Sequence, residues 1–241
     1  MINIVLDAGT TWSKIIENKD SNLMSAYKDF LEKEQEGKKY YIIPSSELKN
    51  IDFMFDKATG HMSKRLIKDE KDYENEIIAL VQGFRKIVEN DSIILDLGSR
   101  DSKWVQFKDG KFKDLDWNNS CSSSTGATIE MLLKFYNLNA NDLNYNEEKY
   151  PITCGIFGLE KIMDDIAKGS NPNEAISKFV HGIAYNAWNF AKKPDKMYLS
   201  GGFCENECFV KSLQNYCEVK VLGRYLLAEG LIVNSVLGSA Y

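Results

Sequence analysis

Histidine is nearly missing from this chain, with only His61 and His181 among 241 residues. A metal site of clustered imidazoles or a Ser-His-Asp triad therefore has little to draw on. His61 reads as a surface residue and His181 as a helix-packing one. Long apolar runs are missing too, and none approaches the roughly 18–20 residues of a membrane span. Asp7 and Gly9 interrupt the N-terminal apolar stretch at once, unlike a secretory signal. There is no basic excess: 30 Lys and Arg stand against 35 Asp and Glu, a net charge of −5. A general nucleic-acid surface would need a basic footprint. The expectation is a cytoplasmic protein with neither a membrane nor a nucleic acid as partner. No low-complexity linker divides the chain, so any two halves should pack tightly around a cleft.

What is present is one unusual phrase, written twice. Leu6-Asp7-Ala8-Gly9-Thr10-Thr11-Trp12-Ser13-Lys14 reappears as Leu95-Asp96-Leu97-Gly98-Ser99-Arg100-Asp101-Ser102-Lys103. Leu, Asp, Gly, Ser and Lys match at one constant offset. Each copy follows a β-branched run, precedes another, and then meets a turn: Lys19-Asp20-Ser21-Asn22 in the first copy, Lys108-Asp109-Gly110 in the second. The pattern is strand, polar turn, strand, twice over. It predicts two related α/β domains, 1–90 plus 225–241 and 91–224.

Between these phrases the spacing of apolar residues predicts further elements. Asn22 to Glu36 reads as a helix and Lys39 to Ile43 as a strand stopped by Pro44. Glu74 to Val88, Thr125 to Tyr136 and Phe157 to Ala167 read as helices. Asn171-Pro172-Asn173-Glu174 suits a helix start, with proline early and a carboxylate in the first turn. That helix should run to about Ala191. Met197-Tyr198-Leu199 reads as a strand feeding Ser200-Gly201-Gly202, and Leu226 to Tyr241 as a final helix. The charge run Lys64 to Glu76 reads as a solvated surface.

Alone, either copy of the phrase would read as an ordinary hairpin. Repetition favours a nucleotide clamp. Gly9 and Gly98 would let backbone N–H groups approach anionic oxygens. Thr10, Thr11, Ser13, Ser99 and Ser102 add hydroxyls, and Lys14 and Lys103 add charge. Asp7 and Asp96 would repel phosphate directly, so Mg²⁺ or its waters suit them better. Two such loops facing each other would hold a triphosphate from both sides.

Duplicate Asp-x-Gly-(Ser/Thr) loops followed by Ser200-Gly201-Gly202-Phe203 resemble the actin, sugar-kinase and Hsp70 ATPase superfamily. The resemblance implies a duplicated, ribonuclease H-like two-domain fold with ATP or ADP in the cleft, and Gly201 and Gly202 against the adenosine.

Five cysteines without an export signal read as thiols or metal ligands before disulfides. Cys121 and Cys154 each stand just before a predicted helix, where the dipole and free N–H groups favour thiolate. A [4Fe–4S] cluster needs about four thiolates, which two copies of such a pair would supply. Cys204 and Cys208 share one face if helical, where a metal pair is conceivable and packing is commoner. Cys217 reads as core.

The order Asp-x-Gly-x-x-Asp-Ser-Lys, Asn-x-x-Cys-x-x-x-Thr-Gly, Thr-Cys-x-x-Phe resembles the activator of 2-hydroxyacyl-CoA dehydratases, whose family includes the ATPase subunits of benzoyl-CoA reductase. Thr59-Gly60, Glu76 to Gly83, Gly201-Gly202 with Asn206, and the Leu237-Gly238-Ser239-Ala240 tail extend the similarity through nearly the whole chain. It implies a homodimer with one [4Fe–4S] cluster held by Cys121 and Cys154 of each copy. It also implies ATP hydrolysis coupled to one-electron transfer into an iron–sulfur dehydratase or reductase, fed by a ferredoxin or flavodoxin. Departures stand at Ser99 and Arg100, where the family has Gly-Gln. Arg100 would either contact a phosphate or disturb the attacking water. Others are His61-Met62-Ser63 after Thr59-Gly60, Leu80 and Gln82 in place of His and Arg, and Leu159 in place of Glu. The alternatives are a small-molecule kinase or a non-hydrolysing ATP sensor of the same fold.

Overall fold

Both copies of the repeated phrase fold as hairpins. The computed structural model describes residues 2–85, 87, 89, 91–118, 126–152 and 155–233. Two units emerge, Met1–Ile87 with Tyr225–Tyr241 and Val88–Arg224. In the first, β1 (Ile4–Asp7) pairs antiparallel with β2 (Trp12–Asn18). The chain continues through β3 (Leu31–Gln35), β4 (Lys38–Pro44), β5 (Lys57–Thr59) and α1 (Glu76–Phe84). The sheet runs β3-β4-β2-β1-β5, with β5 parallel to β1.

The helix expected over Asn22 to Glu36 is not formed. Ser25–Phe30 makes a short 3₁₀ segment, and Leu31–Gln35 is an edge strand with every side chain exposed. Leu, Glu, Lys and Gln favour helix, but pairing with β4 overrides a weak local preference. Glu36 and Gly37, both at positive φ, close the two-residue hairpin. That Gly after a polar residue is the signal available in the sequence. The Lys64 to Glu76 run is not wholly solvated either: 3₁₀ turns form over Ser63–Leu66 and Glu70–Asp72, and Leu66 and Glu76 are buried.

The second unit opens with β6 (Ser92–Leu97) antiparallel to β7 (Ser102–Lys108), followed by β8 (Lys111–Asn118). Then come α2 (Gly126–Phe135), α3 (Gly155–Ala167), α4 (Pro172–Phe190), β9 (Lys196–Ser200), α5 (Glu207–Gln214) and β10 (Glu218–Gly223). This sheet runs β10-β9-β6-β7-β8, with β9 parallel to β6. The set β1, β2, β4, β5 thus recurs in pairing and direction as β6, β7, β8, β9. Strand β3 extends one sheet at its β4 edge, and β10 extends the other at its β9 edge. Strands β1 and β6 are buried along their whole length, as parallel-paired central strands are.

The last helix, α6 (Leu226–Ile232), returns to the first unit and packs on α1, β1 and β5. Gly83 and Gly230 bring α1 and α6 together. A Cβ on Gly230 would meet the Ala79 carbonyl and lie 2.9 Å from the Gly83 nitrogen. Residues beyond Val233, expected to continue this helix, lie outside the described ones.

Helix α4 starts as its sequence predicts, with the Asn171 side chain accepting from the Asn173 N–H and Pro172 in the first turn. Its buried His181 donates from Nδ1 to the Asn146 carbonyl (2.8 Å) and accepts at Nε2 from the Tyr216 hydroxyl (2.8 Å). This arrangement suits a neutral ring. Burial lowers its pKa, with the Lys149 charge acting the same way against opposing backbone hydrogen bonds. The unfolded chain therefore takes up this proton first. Stability from this residue should be complete above about pH 6.5 and fall as the pH drops from there towards the lowered folded value. Urea midpoints measured across that range should lose this part of their slope in His181→Phe. An unchanged slope would mean the ring reaches water.

Candidate functional site: two carboxylate–lysine hairpins

Strand register fixes the chemistry of each hairpin. Asp7 pairs with Lys14 across β1 and β2 and with Thr59 on β5. Asp96 pairs with Lys103 across β6 and β7 and with Ser200 on β9. Register partners share one face of a sheet, so each unit carries a row of hydroxyl, carboxylate and ammonium groups. Lys14 Nζ lies 3.3 Å from Asp7 Oδ2, and Lys103 Nζ lies 3.4 Å from Asp96 Oδ2. All four residues are buried. Each carboxylate stands at the C-terminal end of a strand with a parallel neighbour, where ligands of open α/β sheets collect.

The rows differ at their ends. Ser200 Oγ donates to the Gly223 carbonyl at 3.0 Å, an acceptor supplied by β10. Thr59, its counterpart, is fully buried, with no hydrogen-bond partner for Oγ1 among the described residues. On the far side Lys103 meets a second carboxylate, Asp101 Oδ1, at 3.3 Å. Asp101 Oδ2 in turn accepts from the Trp117 indole N–H at 2.7 Å. The second row therefore holds two carboxylates for one ammonium, and the first is balanced. Sequence reasoning marks neither Asp101 nor Trp117 as a site residue. The available signals are that Asp101 lies inside the repeated phrase, where the first copy has Trp12, and is the second Asp of the Asp-x-Gly-x-x-Asp-Ser-Lys motif.

The loops use their glycines for closure. Gly9 N–H bonds the Asp7 carbonyl at 3.1 Å, and Gly98 N–H bonds the Asp101 carbonyl at 2.9 Å. A Cβ on Gly9 would strike the Trp12 carbonyl, and one on Gly98 would lie 2.9 Å from Asp101 Oδ1. Thr10 and Arg100 are exposed, and Gly9, Thr11, Gly98 and Ser99 half-buried. Ser13 and Ser102 neighbour the lysines in their strands and so face the opposite side of each sheet. Ser13 Oγ lies 2.8 Å from Ser45 Oγ, which donates to the Gly9 carbonyl at 2.6 Å and braces the first loop from behind.

Gly60 and Gly201 occupy equivalent turns, after β5 and β9. Both have positive φ, and a Cβ at either would strike the backbone of the facing loop, at Ala8 and Leu97 respectively. Gly202 is exposed, with open space around it among the described residues. Asn206 is committed locally: Oδ1 caps α5 by accepting from the Phe209 N–H, and Nδ2 donates to the Ala140 carbonyl at 2.8 Å.

Cys121 and Cys154 lie outside the described residues. The described helices α2 and α3 begin shortly after them in sequence. Cys204 precedes α5, which starts only at Glu207, and both Cys204 and Cys208 are buried in the core. Burial pushes the Cys208 and Cys217 thiols up to about 11, and Cys208 Sγ donates to the Asn144 carbonyl at 3.4 Å. Among the described residues no group of three or more His, Cys, Asp or Glu is placed to hold a metal ion, and no helix is long and apolar enough to cross a membrane. His61 is exposed, 4.0 Å from the buried Glu76.

No family model matches the chain. The (R)-2-hydroxyglutaryl-CoA dehydratase activating ATPase of Acidaminococcus fermentans is 19% identical over 174 residues, covering 68% of this chain and 67% of that protein. Among solved structures, the activator of the 2-hydroxyisocaproyl-CoA dehydratase from Clostridium difficile, with bound ADPNP, matches with a TM-score of 0.72 at 17% identity. That match covers 96% of this chain and 92% of the other. Component A of the Acidaminococcus fermentans (R)-2-hydroxyglutaryl-CoA dehydratase matches at 0.71 and 18% identity over 96% of each chain. The ethanolamine utilization protein EutJ from Carboxydothermus hydrogenoformans shares the architecture more loosely, at 0.52 and 10% identity over 96% of this chain and 89% of that one. The fold is the duplicated actin-like α/β fold.

Proposed function

We propose that this chain is an ATP-dependent activator. It binds MgATP at its two loops, hydrolyses it, and passes one electron at a time to an iron–sulfur acyl-CoA dehydratase or a related reductase. The repeated buried carboxylate–lysine row is the observation that carries the nucleotide half of this reading. A carboxylate beside its own ammonium offers a cation site without a strong net repulsion of phosphate. Mg²⁺ is commonly held by one or two carboxylates, waters and substrate phosphates, and the donor set of Asp7, Asp96 and the flanking hydroxyls fits that chemistry. Gly201 and Gly202 would face the adenosine, and Arg100 the phosphates. The likeness to two dehydratase activators supports the choice of partner.

The electron-transfer half rests on the family resemblance. The three described cysteines are buried, and those at 208 and 217 resist ionisation, a poor basis for iron binding. The resemblance to the dehydratase activators implies Cys121 and Cys154 as the thiols that would hold a [4Fe–4S] cluster, two from each copy of a homodimer. When bound, the cluster would supply a one-electron couple, in which about 59 mV is a tenfold change in equilibrium. A route from nucleotide to thiol is supported by the start of α2. Gly126 N–H bonds the Gly98 carbonyl at 3.2 Å, and Ala127 N–H bonds the Ser99 carbonyl at 2.9 Å. The helix after Cys121 is therefore tied to the second loop.

Anaerobically purified protein should contain about four irons and as many sulfides per dimer. Cys121→Ala and Cys154→Ala should each lose both and the accompanying visible absorption, while keeping MgATP binding. Iron-free protein after anaerobic reconstitution, still binding MgATP, would leave a kinase or a nucleotide sensor of the same fold.

A further inference from the structure

Buried hydroxyls in folded proteins nearly always have a hydrogen-bond partner, so an orphan calls for a physical reason. Thr59 ends β5, and its register partner on the parallel strand β1 is Asp7. It is fully buried, and its Oγ1 has no partner among the described residues. The backbone around it is committed. The Thr59 carbonyl accepts from the Ala8 N–H at 2.9 Å, and the Ala58 carbonyl accepts from the Glu74 N–H at 2.8 Å. A β-branched side chain on so fixed a backbone holds its hydroxyl in one direction. Valine has the same shape and would fill the position without burying an unmade hydrogen bond. Packing alone therefore does not account for threonine.

The second row supplies the contrast. Ser200, the counterpart of Thr59, donates from Oγ to the Gly223 carbonyl at 3.0 Å. The first row keeps a carboxylate at the end of β1 and, beside it, a hydroxyl that the protein has not used. Such a pair suits a hydrated divalent cation. Mg²⁺ dehydrates reluctantly, takes one or two carboxylates and keeps several waters, whose protons need acceptors. A threonine oxygen is one.

We propose that Thr59 is a positioning residue for the cation of the first row, its Oγ1 accepting from a water of Mg²⁺ held at Asp7. This rests on the MgATP reading above and names the side chain that orders the cation's water.

The test uses the full chain, iron-free and loaded with ADP, with Mn²⁺ as the probe in place of Mg²⁺. The Mn²⁺ dissociation constant is read from the loss of the free-ion EPR signal. Thr59→Val should weaken Mn²⁺ binding about tenfold or more, the usual loss when a partner of a metal's ligand is removed. Thr59→Ser keeps the hydroxyl and should restore most of it. In EDTA without nucleotide, Thr59→Val should melt no lower than the wild type, because it removes an unpaired buried group. A lowered melting temperature there would give the hydroxyl a partner inside the protein and overturn the proposal. So would wild-type Mn²⁺ affinity in Thr59→Val, or equal weakening by valine and serine. Wild-type protein that binds ADP and no Mn²⁺ overturns it too, while the nucleotide reading survives. Absence of ADP binding in the wild type defeats both.

Discussion

Lys103→Met should cost the second unit about 3–5 kcal/mol, the usual result of removing one partner from a buried ionic group. Lys103 is 2% exposed, and its ammonium is shared between Asp96 at 3.4 Å and Asp101 at 3.3 Å. Methionine fills the same volume but leaves two buried carboxylates facing each other, with the Trp117 N–H still donating to Asp101. Lys14→Met removes an ammonium from one carboxylate at a slightly more open position, so its loss should be distinctly smaller. Urea denaturation of both variants reads this directly. The triple variant Lys103→Met, Asp96→Asn, Asp101→Asn should recover much of the stability, because it removes the charges that need pairing. It should not recover MgATP binding. Small and equal losses in the two lysine variants would show that the carboxylates are hydrated in the folded protein.

That comparison also marks where the sequence stops being informative. The duplicated phrase is legible because hairpins of this kind need Gly, Asp and hydroxyl residues at set places, and the β-branched flanks supply the strands. Asn171 and Pro172 announce α4 because capping is a local interaction. Pairing across strands is not local. Nothing in Asp7 or Asp96 states that the lysine seven places later folds back onto it; the register does. Leu31–Gln35 carries helix-forming residues and becomes an edge strand because β4 offers it hydrogen bonds. The α5 and β10 elements are hard to see in the sequence because α5 is only 8 residues long and β10 buries none of its residues fully. Family resemblance includes Asn206, and nothing in its sequence neighbourhood states that its side chain caps α5 and donates to the Ala140 carbonyl. Cys121 and Cys154 are marked by their flanks, and the described structure reaches those flanks without reaching the thiols.

Adjacent glycines after β9 give the second large effect, and they separate folding from binding. Gly201 has φ +100 and a Cβ there would overlap the backbone of Leu97, the last residue of β6. Leu97 cannot yield easily, since β7 holds it on one side. Gly201→Ala therefore combines backbone strain of about 1–3 kcal/mol with overpacking of similar size. At about 2–4 °C per kcal/mol for a chain of this length, the melting temperature should fall by roughly 5–20 °C. At Gly202 an added Cβ would find nothing within 4 Å among the described residues, and φ there lies outside the left-handed region, so alanine is tolerated. Gly202→Ala should leave the melting temperature within about 2 °C, as surface changes away from special features do. If the turn lies against the adenosine, the same methyl group should weaken MgADP binding, and calorimetry should find the loss in affinity without a loss in stability. Equal destabilisation by both alanines would mean that the turn is purely structural. Unchanged melting in Gly201→Ala would mean that the loop after β6 can move aside, and the close approach on which the second loop is built would have to be abandoned.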